Sequence, residues 1–342
     1  MIKSSEPKIT MKDIAQKLGV SVVTISKAFN NKDGVSEDLR IQIKKTAEEM
    51  GYRYNSNAKA LREGRCFNIG VIVASRYMDE TENSFYLKMY QNIIKYLTDY
   101  EYSGILEIIT TEMEDGNELP RMVSRNKIDG LIVLGQMKAE YLLFIQKTGI
   151  HTVYLDFYNK TIDVDAIITD NIYGEYLLTN YLISKGHKKI AFIGNIYATA
   201  SILDRYLGYY RSLLANRLEV NPDYLIPDRT DQGKFIEIPL PKDMPTAFVC
   251  NCDTVAYALI QKLKEKGYRI PEDISVVGFD NYSFGEYSTP KLTTEEVDVD
   301  AMTMLAVETL QKRIAGQAEK PSRKVISGTI IIRDSVAEAK VN

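Results

Sequence analysis

TMKDIAQKLGVSVVTISKAFN, residues 10–30, is the stretch on which the reading of this chain turns. Thr10 stands where a helix N-cap belongs, and Asp13 follows three residues later to close a capping box. Ile14, Ala15 and Leu18 then share one helical face. Gly19 ends that helix in the left-handed conformation that glycine alone adopts cheaply. Ser21 caps a second helix, in which Val22 and Ile25 to Phe29 alternate between core and surface. Ser36 opens a third, which runs through Leu39, Ile43, Ala47 and Met50 and stops at Gly51. Two short helices joined through a glycine-containing turn and braced by a third make a helix-turn-helix. In that arrangement the second helix enters the major groove with its N-terminal residues at the base edges.

Charge is distributed unevenly along the 342 residues, whose net charge is -3. Met1 to Arg65 carry 13 Lys+Arg against 8 Asp+Glu, whereas the remainder carries 30 against 38. A cationic front on an anionic body points to a polyanion met by the front alone. Cys66, Cys250 and Cys252 have neither a disulfide nor a metal spacing, and His151 and His187 are the only imidazoles. No metal and no cofactor are therefore expected. The first residues, MIKSSEPKITMKD, lack the apolar core of a signal peptide, and no apolar run approaches a bilayer's thickness. The expectation is a cytoplasmic protein without membrane contact.

The stretch ITMKDIAQKLGVSVVTISKAFNNKDGVSEDLRIQIKKTAEEMGYRYN resembles the DNA-binding headpiece of the lactose-repressor (LacI/GalR) family. The family pattern is met at Thr10, Asp13, Ile14, Ala15, Gly19, Val20, Ser21, Thr24, Ile25, Ser26, Phe29 and Asn30. The resemblance places Val22, Val23 and Lys27 at base-reading positions, with Thr24 and Ser26 on the phosphate backbone; Thr10, Ser21 and Asn30 complete the expected DNA-contacting set. Lys27 can reach guanine acceptors, whereas valines can only touch a thymine methyl or exclude a wrong base. NSNAKALREGR, residues 55–65, resembles the family's hinge helix, which orders on DNA and wedges a leucine into the minor groove. Leu61 matches the wedge, and Ala58 and Arg62 match its neighbours. Tyr54 departs from the proline usual at the hinge's entry.

From Phe67 the texture changes. Apolar runs at 67–74, 104–110, 130–134 and 152–156, and a second series at 166–170, 189–194, 246–251 and 273–280, alternate with helical stretches. Such runs indicate parallel sheets covered on both faces, here two Rossmann-like lobes. The expected fold class is α/β: a helix-turn-helix headpiece followed by a two-lobed core like that of periplasmic binding proteins. Residues 1–54 are the expected headpiece, 55–66 the hinge and 67–342 the effector-binding and dimerisation core. By resemblance the chain crosses between lobes three times, near Asn159, Tyr287 and Lys320. That assigns 67–159 and 288–319 to one lobe, and 160–287 and 320–342 to the other.

Ligands in such sheets sit beyond the carboxyl ends of the strands. The resemblance selects Phe85, Asp156, Ser201, Arg205 and Asp280 as effector-binding residues. A guanidinium fork and carboxylates can each bracket neighbouring hydroxyls of a polyol, and an aromatic face can cover its C–H side. Cys252 occupies the family's usual asparagine position. Either Asn251, one place earlier, takes that contact or the contact is absent. Tyr197, Tyr206, Tyr209 and Tyr282 fall near these segments, either stacking on an oligosaccharide or filling helix faces.

The reading is a homodimeric transcription regulator, acting as a repressor, on double-stranded DNA with a near-palindromic operator. A small carbohydrate effector would set its operator affinity. No leucine-heptad tail follows Arg333, so a tetramer built by such a tail is not expected. The alternative is a sugar-metabolising enzyme with a DNA-binding appendage. Against it, the sequence has no P-loop, no nucleophile elbow and only two histidines. A transport binding protein is disfavoured by the basic headpiece.

Overall fold

The computed structural model describes residues 9–29, 32–52, 64–78, 85–281, 287–317 and 319–340. Expectations placed on Asn30, Tyr54, Ala58, Leu61, Arg62 and Tyr282 fall outside these. The chain divides into two compact units, Met1–Cys66 and Phe67–Asn342.

In the first unit, α1 (Met11–Leu18), α2 (Val22–Phe29) and α3 (Glu37–Glu49) are each started by a local side chain. The Asp13 carboxylate accepts the Thr10 N–H at 2.7 Å, and the Thr10 hydroxyl accepts the Asp13 N–H at 3.4 Å. The Ser21 hydroxyl accepts from the Thr24 N–H at 3.0 Å, and Ser36 caps α3 through the Leu39 N–H. Each cap of this kind contributes about 1 kcal/mol. Gly19 follows α1 with φ 66°. The core is small: Ile14, Ala15, Ile25, Ala28, Ile43 and Ala47, with Phe29 set against Tyr52 at its rim. Arg40 of α3 donates to the carbonyls of Ala28 and Lys32, fastening the loop after α2.

The second unit holds two lobes. Its elements begin β1 (Asn68–Ala74), α4 (Phe85–Thr98), β2 (Ser103–Ile109), α5 (Thr111–Asp115), α6 (Arg121–Ser124), β3 (Gly130–Leu134), α7 (Ala139–Gln146), β4 (Thr152–Leu155) and β5 (Asp165–Thr169). They continue with α8 (Asn171–Ser184), β6 (Ile190–Ile193), α9 (Ala200–Ala215), β7 (Leu225–Ile226), β8 (Ala247–Cys250), α10 (Asp253–Glu265), β9 (Ser275–Asp280) and β10 (Thr293–Glu296). Last come α11 (Val299–Ile314), β11 (Arg323–Ile326) and β12 (Thr329–Ile331). One six-stranded sheet runs β11-β5-β4-β3-β1-β2, the other β12-β10-β9-β8-β6-β7. Every pairing is parallel except that of β10 with β12. The central strands are buried end to end, as parallel sheets covered by helices require.

The lobe boundaries differ from the sequence expectation at all three crossings. β5 pairs with β4 and β11, so residues 165–169 belong to the first lobe and the chain leaves it only at Asp170. β10 pairs with β9 in the second lobe, so the return follows Glu296 rather than Tyr287. The last crossing lies between Ile326 and Thr329, beyond Lys320. Polar turns such as that at Asn159 end strands, not lobes. Which sheet a strand joins is set by pairing with segments far along the chain.

Helix α8 packs closely on α9 in the second lobe. A Cβ at Gly208 would stand 2.2 Å from the Ile172 carbonyl oxygen, so only glycine permits this approach. The crossings themselves lie side by side: the Asp170 N–H donates to the Ile326 carbonyl at 2.9 Å. A Cβ at Gly328 would meet the Glu296 carbonyl oxygen at 2.2 Å. Among the described residues no helix is long and apolar enough to cross a membrane.

Candidate functional site

Two surfaces merit attention, one in each unit. On the headpiece, α2 leaves Val22 44% and Val23 64% exposed, while Ile25 and Ala28 are buried. Val22 is therefore outside the core. Two exposed valines at the first turn of a helix offer an apolar contact surface. Ser26 and Lys27 are half-buried beside them, and the Thr24 and Ser21 hydroxyls lie 2.9 Å apart. Thr10 is engaged in its capping box, its hydroxyl donating to Asp13 at 2.7 Å.

In the second unit the carboxyl ends of β4 and β9 carry Asp156 and Asp280, each at positive φ (69° and 102°). Non-glycine residues held there store strain, which clusters at functional sites. Asp156 belongs to the first lobe, and its Oδ2 accepts the Tyr86 hydroxyl at 2.8 Å. Burial raises its carboxyl to about 6, against the opposing pull of Arg205. Asp280 belongs to the second lobe, where burial raises it and Arg205 opposes.

Arg205, projecting from α9, is held on every side. Its Nε donates to Asn171 Oδ1 at 2.8 Å, Nη1 to the Asn251 carbonyl, and Nη2 to Asp280 Oδ1 at 3.1 Å. The guanidinium lies 3.9 Å from the centre of the Phe279 ring. A fork fixed in this way loses little freedom on meeting a ligand. Ser201 sits one turn earlier on α9, its hydroxyl 2.9 Å from that of Thr199. Phe85 opens α4 and packs edge-on against Tyr86, with ring centres 5.5 Å apart.

Asn251 is not presented to the cleft, contrary to the sequence expectation. Its side chain is spent on scaffolding: Nδ2 donates to the Ile193 carbonyl and to Asp228, both at 2.9 Å, and the residue is 1% exposed. Its Oδ1 accepts from Arg229 Nη2 at 3.1 Å. Arg229 also donates to Asp228 at 2.8 Å and lies 4.5 Å from the Phe235 ring centre. Its Nη2 is 3.8 Å from Cys252 Sγ. Burial pushes that thiol up to about 11, with Arg229 opposing, which favours its neutral form. Among the tyrosines singled out, Tyr197 is exposed. Tyr206 and Tyr209 pack on Phe192 in the second lobe's core, filling a helix face.

Sequence reasoning also missed Gln136. Its Oε1 accepts the Ala200 N–H at 2.9 Å, a hydrogen bond from the first lobe to the start of α9. Its own carbonyl accepts from Arg76 Nη2 at 2.7 Å and the Tyr77 hydroxyl at 3.0 Å. Nothing in the sequence around Gln136 or Arg229 marks them, since both sit in irregular loops.

Beneath the cleft lies a second pair of carboxyls. Glu175 of α8 is fully buried and Glu295 of β10 is 2% exposed. Both oxygens of Glu175 and Oε2 of Glu295 have no hydrogen-bond partner among the described residues. Burial drives Glu175 well above the usual carboxylate range and Glu295 to about 7, with Arg205 opposing in each case. Burial thus favours the neutral form of both side chains. Among the described residues no cluster of three or more acidic, cysteine or histidine side chains is placed to hold a metal ion.

Comparison with known proteins places these surfaces in context. Residues 10–55 match the family of bacterial regulatory proteins, lacI family, and residues 179–336 match the periplasmic binding protein-like domain. The HTH-type transcriptional repressor PurR of Vibrio atlanticus (strain LGP32) is 30% identical over 314 residues, 89% of this chain and 92% of that protein. The ribose operon repressor of Haemophilus influenzae is 27% identical over 338 residues, covering 97% and 99%. Among solved structures, the lac repressor dimer bound to operator and the anti-inducer ONPF superposes with a TM-score of 0.75 at 21% identity, over 96% of this chain and 99% of that one. The complex of the transcriptional regulator CelR with cellobiose gives 0.69 at 22%, over 96% and 100%.

Proposed function

The chain belongs to the LacI family of bacterial regulatory proteins, and on that premise we propose that a carbohydrate held between its lobes controls how tightly its headpieces grip an operator. The protein is a DNA-binding transcriptional regulator, not an enzyme. One observation carries the effector reading: Arg205 bonds Asp280 of the second lobe at 3.1 Å and also acts electrostatically on Asp156 at a strand end of the first. Carboxylates and a guanidinium so placed can each bracket adjacent hydroxyls, and the Phe85–Tyr86 pair offers ring faces for C–H groups. The sugars named in the titles of related structures, cellobiose and ribose, agree in kind.

On DNA, Val22, Val23 and Lys27 read base edges, and Ser21, Thr24 and Ser26 hold phosphates. Thr10 positions α1 through its cap. Asn30, Ala58, Leu61 and Arg62 contribute as their family positions imply. Two headpieces of a homodimer then meet the two halves of a near-palindromic operator, and the protein works where the chromosome is, in the cytoplasm. Ligand and operator are coupled reciprocally, each changing affinity for the other by the same factor.

The test is paired. Full-length protein should retain a fragment of its own genome at low ionic strength, and a saccharide that raises its melting temperature should alter that retention. Replacing Leu61 by Ala should weaken operator binding about tenfold while leaving salt-dependent non-specific binding intact. Equal loss of both would remove the wedge role.

A further inference from the structure

Helix α9 turns Arg205 inward, and its outer face has the spacing of a seam between helices. Leu203, Leu207, Tyr210 and Leu214 follow one another at intervals of four, three and four residues. That alternation keeps apolar side chains in line along a helix, as at the contact positions of a coiled coil. Leu203 is 39%, Leu207 42% and Leu214 54% exposed, and Tyr210 is half-buried. The residues that α9 buries in its own lobe are others, among them Ile202, Arg205, Tyr209, Ser212 and Leu213. Core packing therefore does not account for the three leucines.

The seam is its own complement. Its spacing reads the same in both directions about the point between Gly208 and Tyr209. Two copies of α9 laid antiparallel about a two-fold axis through that point bring Leu203 to Leu214 of the other copy and Leu207 to Tyr210 of the other copy. By symmetry each contact is made twice. Asp204 and Arg211 directly follow Leu203 and Tyr210, on one flank of the seam. The same pairing sets Asp204 beside Arg211 of the other copy, so opposite charges meet along that flank. Arg211 lies 5.0 Å from the centre of the Tyr176 ring of α8, and among the described residues no acid pairs with it. Asp204 holds the Tyr158 hydroxyl and feels Arg323. A carboxylate has about four lone-pair sites on its two oxygens, which leaves room for a further guanidinium.

We propose that the outer face of α9 is a contact between copies of this chain, through which two homodimers join. Four side chains along about three turns of helix cover only part of the roughly 800 Å² per partner that a stable dimer uses. The seam is therefore an added, concentration-dependent contact and not the one that holds the homodimer together. Arg205 projects from the opposite face of the same helix, so this contact and the effector anchor are built on one element.

The experiment is sedimentation velocity of the full-length protein from about 1 to about 100 µM. Wild type should pass from a two-chain to a four-chain species across this range. Leu207→Asp and Leu214→Asp, each altered at an exposed position, should raise the dissociation constant of the four-chain species at least tenfold and leave the two-chain species intact. Asp204→Arg and Arg211→Asp should each weaken it at least threefold. An equal mixture of those two variants should regain wild-type association, because each flank then meets its opposite charge. A wild type that stays two-chain at the highest concentration overturns the proposal. So does a four-chain species that neither Leu207→Asp nor Leu214→Asp weakens, or a mixture that associates no better than its components. Dissociation of Leu207→Asp to single chains overturns it as well, by making α9 the homodimer contact itself.

Discussion

Both lobes mount helices on a six-stranded sheet, yet ionisable groups are buried very unequally in them. The second lobe buries Glu175, Arg205, Asp228, Asp253 and Glu295, and Arg205 and Asp228 are tied through Asn171 and Asn251 into a network that ends at Asp280. Toward the cleft the first lobe brings Asp156, a paired Glu114 and aromatic rings. On the proposed reading, a ligand's polar groups would find a rigid partner in the second lobe and a closing face in the first.

The sharpest way to break this division is to remove its anchor. Arg205→Ala should reduce effector affinity at least about a hundredfold, since it deletes several charge-assisted hydrogen bonds. It should also destabilise the second unit by about 3–5 kcal/mol, because Asp280 loses its partner in a buried pair. Titration calorimetry and denaturant unfolding measure the two effects. Binding within threefold of wild type would move the anchor elsewhere.

The corresponding change in the closing lobe, Asp156→Asn, should cost only about tenfold in affinity in the same titration. A loss as large as that of Arg205→Ala would erase the asymmetry.

The buried pair below the cleft supplies a pH comparison. Glu295 has a folded-state value near 7, above its ordinary one, so its contribution is present in acid and fades as pH rises toward 7. Asp156, near 6, follows the same sign over a lower window. Glu295→Gln should therefore melt a few degrees above wild type at pH 8, with the gain shrinking toward pH 5. A pH-independent difference would show that ionisation of Glu295 is not what the fold resists. The smallest effect belongs to the lobe contact: Gln136→Ala removes one neutral hydrogen bond, worth about 1 kcal/mol, and should weaken effector binding about fivefold.

The headpiece was legible because its determinants are local. Thr10, Ser21 and Ser36 each bond a backbone amide three residues away, and Gly19 acts on its own residue. The strands of the core were legible too, as buried apolar runs. Lobe membership was not, since Thr169 meets Ile326 across 157 residues and no local pattern encodes that meeting. Within the cleft, family resemblance brought Asp156, Arg205 and Asp280 into view, but it left open whether Asn251 makes up for the asparagine replaced by Cys252, and it did not mark Arg229. Which of two neighbouring polar side chains faces a cavity depends on how Asp228 and the Ile193 carbonyl capture one of them, a contest decided only in three dimensions. Glu175 and Glu295 lie in helix and strand patterns that predict burial without saying how an acid tolerates it.

The three chain segments between the lobes are laced together, the first to the third by the Asp170–Ile326 hydrogen bond and the second to the third by the close approach at Gly328. A ribbon of this kind flexes readily across its flat direction and resists torsion about its length. Motion of one half against the other is thereby channelled into a single swing, like a door on three coaxial pins. A cut in any one strand would leave the halves joined by the other two, so a protease nick there would slacken the swing without parting the molecule.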